Sequence, residues 1–149
     1  KPRLYRTAID IKNLLSKYPN IIYLNDSGCE IEGFNIYGSP VQPWFHDWAF
    51  NRDRGEEIKQ HWDLIPDDTD ILITHGPVKK ILDKTSTGLY AGCEEIKEKI
   101  KTLPNLKLHV CGHIHEEYGY LNIDGVYYVN ASICNLQYEP IREPIIINL

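Results

Sequence analysis

The stretch Leu106-Lys107-Leu108-His109-Val110-Cys111-Gly112-His113-Ile114-His115 decides the fold. An apolar strand pattern over 106–111 runs straight into a Gly-His-Ile-His turn. The arrangement occurs once more upstream. Asp70-Ile71-Leu72-Ile73-Thr74 reads as an apolar strand of the buried, parallel type and runs into His75-Gly76-Pro77. In open α/β sheets, ligands bind outside the carboxyl ends of the strands. Glycines beside the histidines let the backbone turn sharply and leave room for a ligand. Three imidazoles from two adjacent strand ends can therefore converge, and neutral imidazole is the commonest protein ligand for transition metals. His75, His113 and His115 are the candidate metal ligands. On an extended strand His113 and His115 share a face and grip one metal; on a turn they diverge and serve two. His109 lies inside its strand and His61 on a helix, and both read as structural. His46 reads as a residue that can face a pocket.

Working outward, a helix is expected over 7–18, with Ala8, Ile11, Leu14, Leu15 and Tyr18 at helical spacing and Thr7 with Asp10 as its cap. A short strand over 21–24, a turn over 25–28, and strands over 29–31 and 34–37 around Gly33 follow. The loop GSPVQPWFHDWAFNRD over 38–53 carries two prolines, two tryptophans and two phenylalanines, too many aromatics for a solvated linker. It is expected to pack down or to line a pocket. Trp44, Phe45 and Trp48 could form a stacking wall, although core packing is the commoner role for at least two of the three rings. A helix over 56–62 places Ile58, His61 and Trp62 inward and ends before Pro66. After a polar loop over 84–91, Cys93, Ile96, Ile100 and Leu103 set a third helix, closed by Pro104. Asp124-Gly125 signals a type I′ hairpin between strands over 118–123 and 126–130. A last strand is expected over 144–149. The order predicts a mixed α/β layered domain, one domain over 1–149 with no internal repeat.

The chain has 149 residues, 42% hydrophobic, 25% charged and 11% aromatic, enough for a core without staples. A net charge of -5 argues against long nucleic acid held on a basic face. Its four cysteines form no CxxC pair, which argues against a disulfide scaffold or a four-cysteine zinc site and for a reducing, cytoplasmic compartment. No apolar run reaches the roughly 18 residues that a membrane-spanning helix needs, and no signal peptide pattern is present. The chain contains no methionine and begins Lys1-Pro2-Arg3, so it is expected to be part of a longer protein.

Leu-Ile-Thr-His-Gly-Pro over 72–77 and VCGHIHEEYG over 110–119 resemble the last two metal-binding motifs of the calcineurin-like metallophosphoesterases. GSPVQPWFHDWAFN over 38–51, RGEEIKQHWDLIPDDTDILITHGP over 54–77, Ala91-Gly92-Cys93, and the run from NASICN at 130–135 to PIIINL at 144–149 resemble one subfamily, the small UPF0046-type phosphodiesterases. The resemblance covers 21–149. It implies a four-layer α/β/β/α sandwich with mixed sheets, of which this chain is half. It implies two divalent ions (Mn, Fe, Zn or Mg) bridged by an aspartate and a water, with His75 and His113 on one ion and His115 on the other. It implies a small phosphodiester or cyclic-nucleotide substrate. From the aromatic loop itself, Trp44 and His46 are the candidate substrate-side residues, and the lack of a long apolar run argues against a membrane partner. Glu116 and Asn130 stand where partners of the histidine rings could be, or are simply an exposed carboxylate and a strand-end amide. The family's earlier motifs, Asp-x-His, Gly-Asp and Gly-Asn-His, do not occur here. These supply the remaining ligands, including the bridging aspartate. The chain alone is therefore expected to be inactive, and its sheet to show edges and apolar surface unless another segment covers them. The competing expectation is a nucleotide- or metal-binding module without turnover, or an inert fragment.

Overall fold

The computed structural model describes residues 13–149. Half of the helix expected over 7–18 lies outside the described residues; 13–15 are helical and a turn follows at 16–17. The sheet begins with a hairpin, β1 (Ser27–Ile31) and β2 (Phe34–Ser39), paired antiparallel. Its two turn residues are both left-handed, Glu32 at φ 53° and Gly33 at φ 81°, which matches the twist of the strands it joins. A two-residue parallel pair, β3 (Gln42–Pro43) and β4 (Asn51–Arg52), then closes the aromatic loop at its base. The helix α1 (Glu56–Trp62), strand β5 (Ile71–Thr74), helix α2 (Glu94–Ile100) and strand β6 (Leu108–Cys111) follow. A single 3₁₀ turn at His115–Glu117 leads into the hairpin β7 (Gly119–Ile123) and β8 (Val126–Asn130). Its turn is left-handed at Asp124 (φ 51°) and Gly125 (φ 88°), the type I′ geometry that the Asp-Gly pair demands.

The six strands lie in the order β1-β2-β5-β6-β8-β7. The four central strands are parallel and the two edge strands antiparallel, so the sheet is mixed. Register places Tyr37, Leu72, His109 and Tyr128 side by side on one face, and all four are buried. Ile58 and Trp62 of α1 with Ile96 and Ile100 of α2 complete that core. The spacing of these helix residues puts one apolar stripe on each helix, and both stripes meet the same sheet face.

The opposite face shows the apolar surface expected of a sheet that no other segment covers. A strand of β5's composition is expected to be buried on both sides, yet Ile73 is 40% exposed and Ile36, Ile71, Leu108 and Val110 are only half-buried. The reason is that both helices pack on one side. Two further strand expectations fail. Residues 21–24 and 144–149 are not paired as strands among the described residues; Ile22 is 56% and Ile146 84% exposed, while Leu24, Ile145 and Ile147 are half-buried. β-branching makes a strand possible there, but a strand needs a neighbouring edge to bond.

Candidate metal centre at two strand ends

Three strand ends are tied together beneath the histidines. The Thr74 hydroxyl donates to the Gly76 carbonyl at 2.7 Å, so it has only lone pairs to offer His109, 2.8 Å away. His109 Nε2 therefore carries the proton. This imidazole is fully enclosed, and desolvation pushes its pKa down to about 4. It is a neutral strut between β6 and the turn that carries His75, which supports the structural reading of this residue. The amide N–H of Gly112 donates to the carbonyl of His75 at 2.9 Å and locks the two turns in register. Asn130, with no exposed surface, closes the third strand end. Its amide donates to the carbonyls of Ile114 (2.8 Å) and Leu82 (3.1 Å), and its oxygen accepts the N–H of Ser132 (3.1 Å).

On this platform His75 and His113 meet. His75 Nε2 lies 3.0 Å from His113 Nδ1, with ring centroids 4.7 Å apart. The tautomers decide which nitrogen donates, and a metal ion held by both rings would take the place of that proton. Burial, and then the neighbouring His75 and His115, push His113 down to about 4. Desolvation also lowers His75 at its contact with the pair, although the residue as a whole is open to solvent. Two neutral imidazoles with facing nitrogens are the state in which imidazole binds metal. His115 diverges from them, as the turn alternative allows. Its Nδ1 donates to the carbonyl of Asn135 at 2.8 Å and its ring meets the edge of Tyr138. The lone pair is thereby placed on Nε2, the tautomer of an Nε2 ligand oriented by a backbone carbonyl.

The glycine expectation is corrected. Gly76 and Gly112 are not in the left-handed region; His113 itself is, at φ 70°. The histidine absorbs the sharp turn, a conformation uncommon outside glycine and found at functional sites. Glu116 and Asn130 do not bond any of the three rings. Glu116 accepts the N–H of Ser86 at 2.8 Å, and Asn130 holds the turn through Ile114.

The aromatic loop stands over the pair. Phe45 meets His113 edge-on at 5.2 Å and Trp48 does so at 6.3 Å. His46 packs on Phe45 at 4.4 Å and faces Trp48, and so reaches the pair only through these rings. Trp44 is 64% exposed and lines a cavity of about 270 Å³ together with His113. Phe45 and Trp48 are 40% and 52% exposed, so core packing is overturned for all three rings. Asn51 fixes the loop: its amide donates to the carbonyls of Phe45 (3.2 Å) and His46 (3.0 Å), and its oxygen accepts from the Phe45 N–H (3.2 Å) and from Gln42 (3.2 Å). The structural roles of Thr74, Asn51 and Asn130 are carried by pairings of distant segments, and no spacing in the sequence signals them.

The donor chemistry suits a divalent transition ion ligand by ligand, with two facing imidazoles and a third that presents Nε2. The number is incomplete. Among the described residues no three His, Cys, Asp or Glu side chains form a group that could hold an ion.

Residues 3–117 match the profile of the calcineurin-like phosphoesterases, and the chain belongs to that family. Human metallophosphoesterase domain-containing protein 1 is 45% identical over 139 residues, which is 93% of this chain and 43% of that protein. UPF0046 protein T07D4.2 of Caenorhabditis elegans is 38% identical over 142 residues, 95% of this chain and 35% of that protein. The chain thus spans less than half the length of these relatives. A solved structure superimposes with a TM-score of 0.60 at 19% identity, over 83% of this chain and 51% of that one, which shows a shared fold alone. No helix of the described residues is long and apolar enough to cross a membrane.

Proposed function

We propose that this chain supplies the histidine half of a dinuclear metal site in a phosphodiesterase that cleaves a small diester, a nucleotide among the candidates. The observation that carries the reading is the contact of His75 with His113 at 3.0 Å, made from the ends of adjacent parallel strands and overhung by exposed aromatic rings. In this reading His75 and His113 hold one ion and His115 another through Nε2. Divalent ions in such a site lower the pKa of a bound water and clamp phosphate oxygens for in-line attack. The remaining ligands come from segments that this chain does not contain. Phe45 and Trp48 keep bulk water off His113, and Trp44 offers an exposed face to the organic part of the ester.

The test is hydrolysis of bis(p-nitrophenyl) phosphate by the full-length protein with Mn²⁺, alongside its metal content. Turnover with about two ions per protein is expected, and His75→Ala or His113→Ala should abolish it while the circular dichroism spectrum persists. Activity that survives either substitution sinks the ligand assignment. One observation favours a second reading for the 149 residues taken alone. Only two imidazoles converge among the described residues, so the isolated chain is a weak one-ion binder without turnover.

A further inference from the structure

The cavity beside His113 has two unlike ends. Trp44, Phe45, Leu89 and Tyr90 supply apolar and aromatic wall, while Arg54 and Lys79 supply charge. Both cations are held by backbone. The Arg54 guanidinium donates to the carbonyls of Gly92 and Ala91, each at 2.8 Å, and Lys79 Nζ donates to the carbonyl of Tyr90 at 2.8 Å. They share one carboxylate, Glu94, whose oxygens lie 2.5 Å from Arg54 and 2.9 Å from Lys79. Two positive charges against one negative leave an excess of one. Not every N–H is spent either. Arg54 uses three of its five donors in these contacts and Lys79 two of its three. Side chains fixed in this way lose little rotamer freedom when an anion arrives.

We propose that this cavity receives the organic part of the ester, and that Arg54 and Lys79 select a nucleoside frame bearing a second phosphate. The proposal rests on the phosphodiesterase reading for what happens at His113 but concerns a separate part of the cavity. Flat rings on the wall suit a base. A phosphate offers three strong acceptor oxygens and more than one negative charge, so it can answer a guanidinium fork and an ammonium together. The cations also hold the 90–92 segment, and this structural work explains why they are rigid. It does not explain why the pair outnumbers its carboxylate at the edge of an aromatic cavity.

The experiment is calorimetric titration of the 149-residue chain with adenosine 3′,5′-bisphosphate and with adenosine 5′-monophosphate. The bisphosphate is expected to bind about ten-fold more tightly. Lys79→Met should weaken the bisphosphate and bring the two ligands to within about two-fold of each other. Should Lys79→Met fail to fold, the wild-type chain still decides: raising ionic strength from about 0.05 M to about 0.5 M should erase the preference. Equal affinities, no binding of either ligand, or a preference insensitive to both Lys79 and salt would overturn the proposal. A preference in the chain with no diester turnover by the full-length protein refutes the phosphodiesterase reading alone. Turnover without the preference refutes this inference alone.

Discussion

Single residues do more here than their spacing announces. Asn130 ends β8 and reads in the sequence as a strand-end amide, yet it satisfies two carbonyls and an N–H beneath the histidine turn without any contact with solvent. Asn130→Ala strands these buried groups, so a loss of about 2–4 kcal/mol is expected in urea unfolding; a loss below about 0.5 kcal/mol would mean that the turn stands without it. His109 makes a pH prediction. Its folded pKa is about 4, below the ordinary 6.5 of the unfolded chain, so the unfolded state binds the extra proton. The associated stability is whole above pH 6.5 and drains away as pH falls toward 4, on the order of 3 kcal/mol. His109→Gln keeps a donor for Thr74 and removes the titration. The slope of unfolding free energy between those pH values should flatten in this variant, and an unchanged slope would refute the assignment. The histidines at the strand ends were legible because apolar strands followed by Gly and His are rare patterns. That His113 rather than its glycine neighbours takes the left-handed turn was not, because backbone dihedral angles answer to the hydrogen bonds of Gly112 and Ile114 as well as to residue type.

At the scale of elements, period and turn chemistry revealed what lies inside one segment. Ile58 and Trp62, Ile96 and Ile100, and the Asp124-Gly125 hairpin stand where their patterns place them. Segments 21–24 and 144–149 have equally good β composition but no partner edge among the described residues, and local pattern carries no information about partners. The aromatic loop is the instructive intermediate. Its richness in rings marked it as more than a linker, but which way the rings face is set by Asn51, β3 and β4. Asn51→Ala removes the clamp while leaving the core intact. A stability loss of only about 1 kcal/mol is expected. The functional effect should be larger, with KM for a diester substrate of the full-length protein rising several-fold and kcat nearly kept, because the wall moves and the histidines do not. A fall in kcat at constant KM would instead show that the loop acts on the histidine pair.

The whole molecule is a sheet finished on one side. Helices α1 and α2 bury Tyr37, Leu72 and Tyr128, whereas Ile73 stands 40% exposed among the half-buried Ile36, Ile71 and Val110. Such a continuous apolar row is characteristic of an interaction surface. The relatives are more than twice as long as the region matched here, 43% of one and 35% of another being covered. The proposed ligands His75 and His113 follow the ends of these same strands, and among the described residues no three His, Cys, Asp or Glu side chains gather there. One cause accounts for both features if the remainder of the longer protein packs on this face and brings the missing ligands with it. Ile73→Lys separates the possibilities. In the 149-residue chain the new ammonium meets water, so unfolding free energy should change by less than about 0.5 kcal/mol and solubility should rise. In the full-length protein the same charge would be buried without a partner, costing several kcal/mol and reducing metal content along with stability. Equal, small effects in both proteins would show that the face stays open and that the missing ligands arrive from elsewhere.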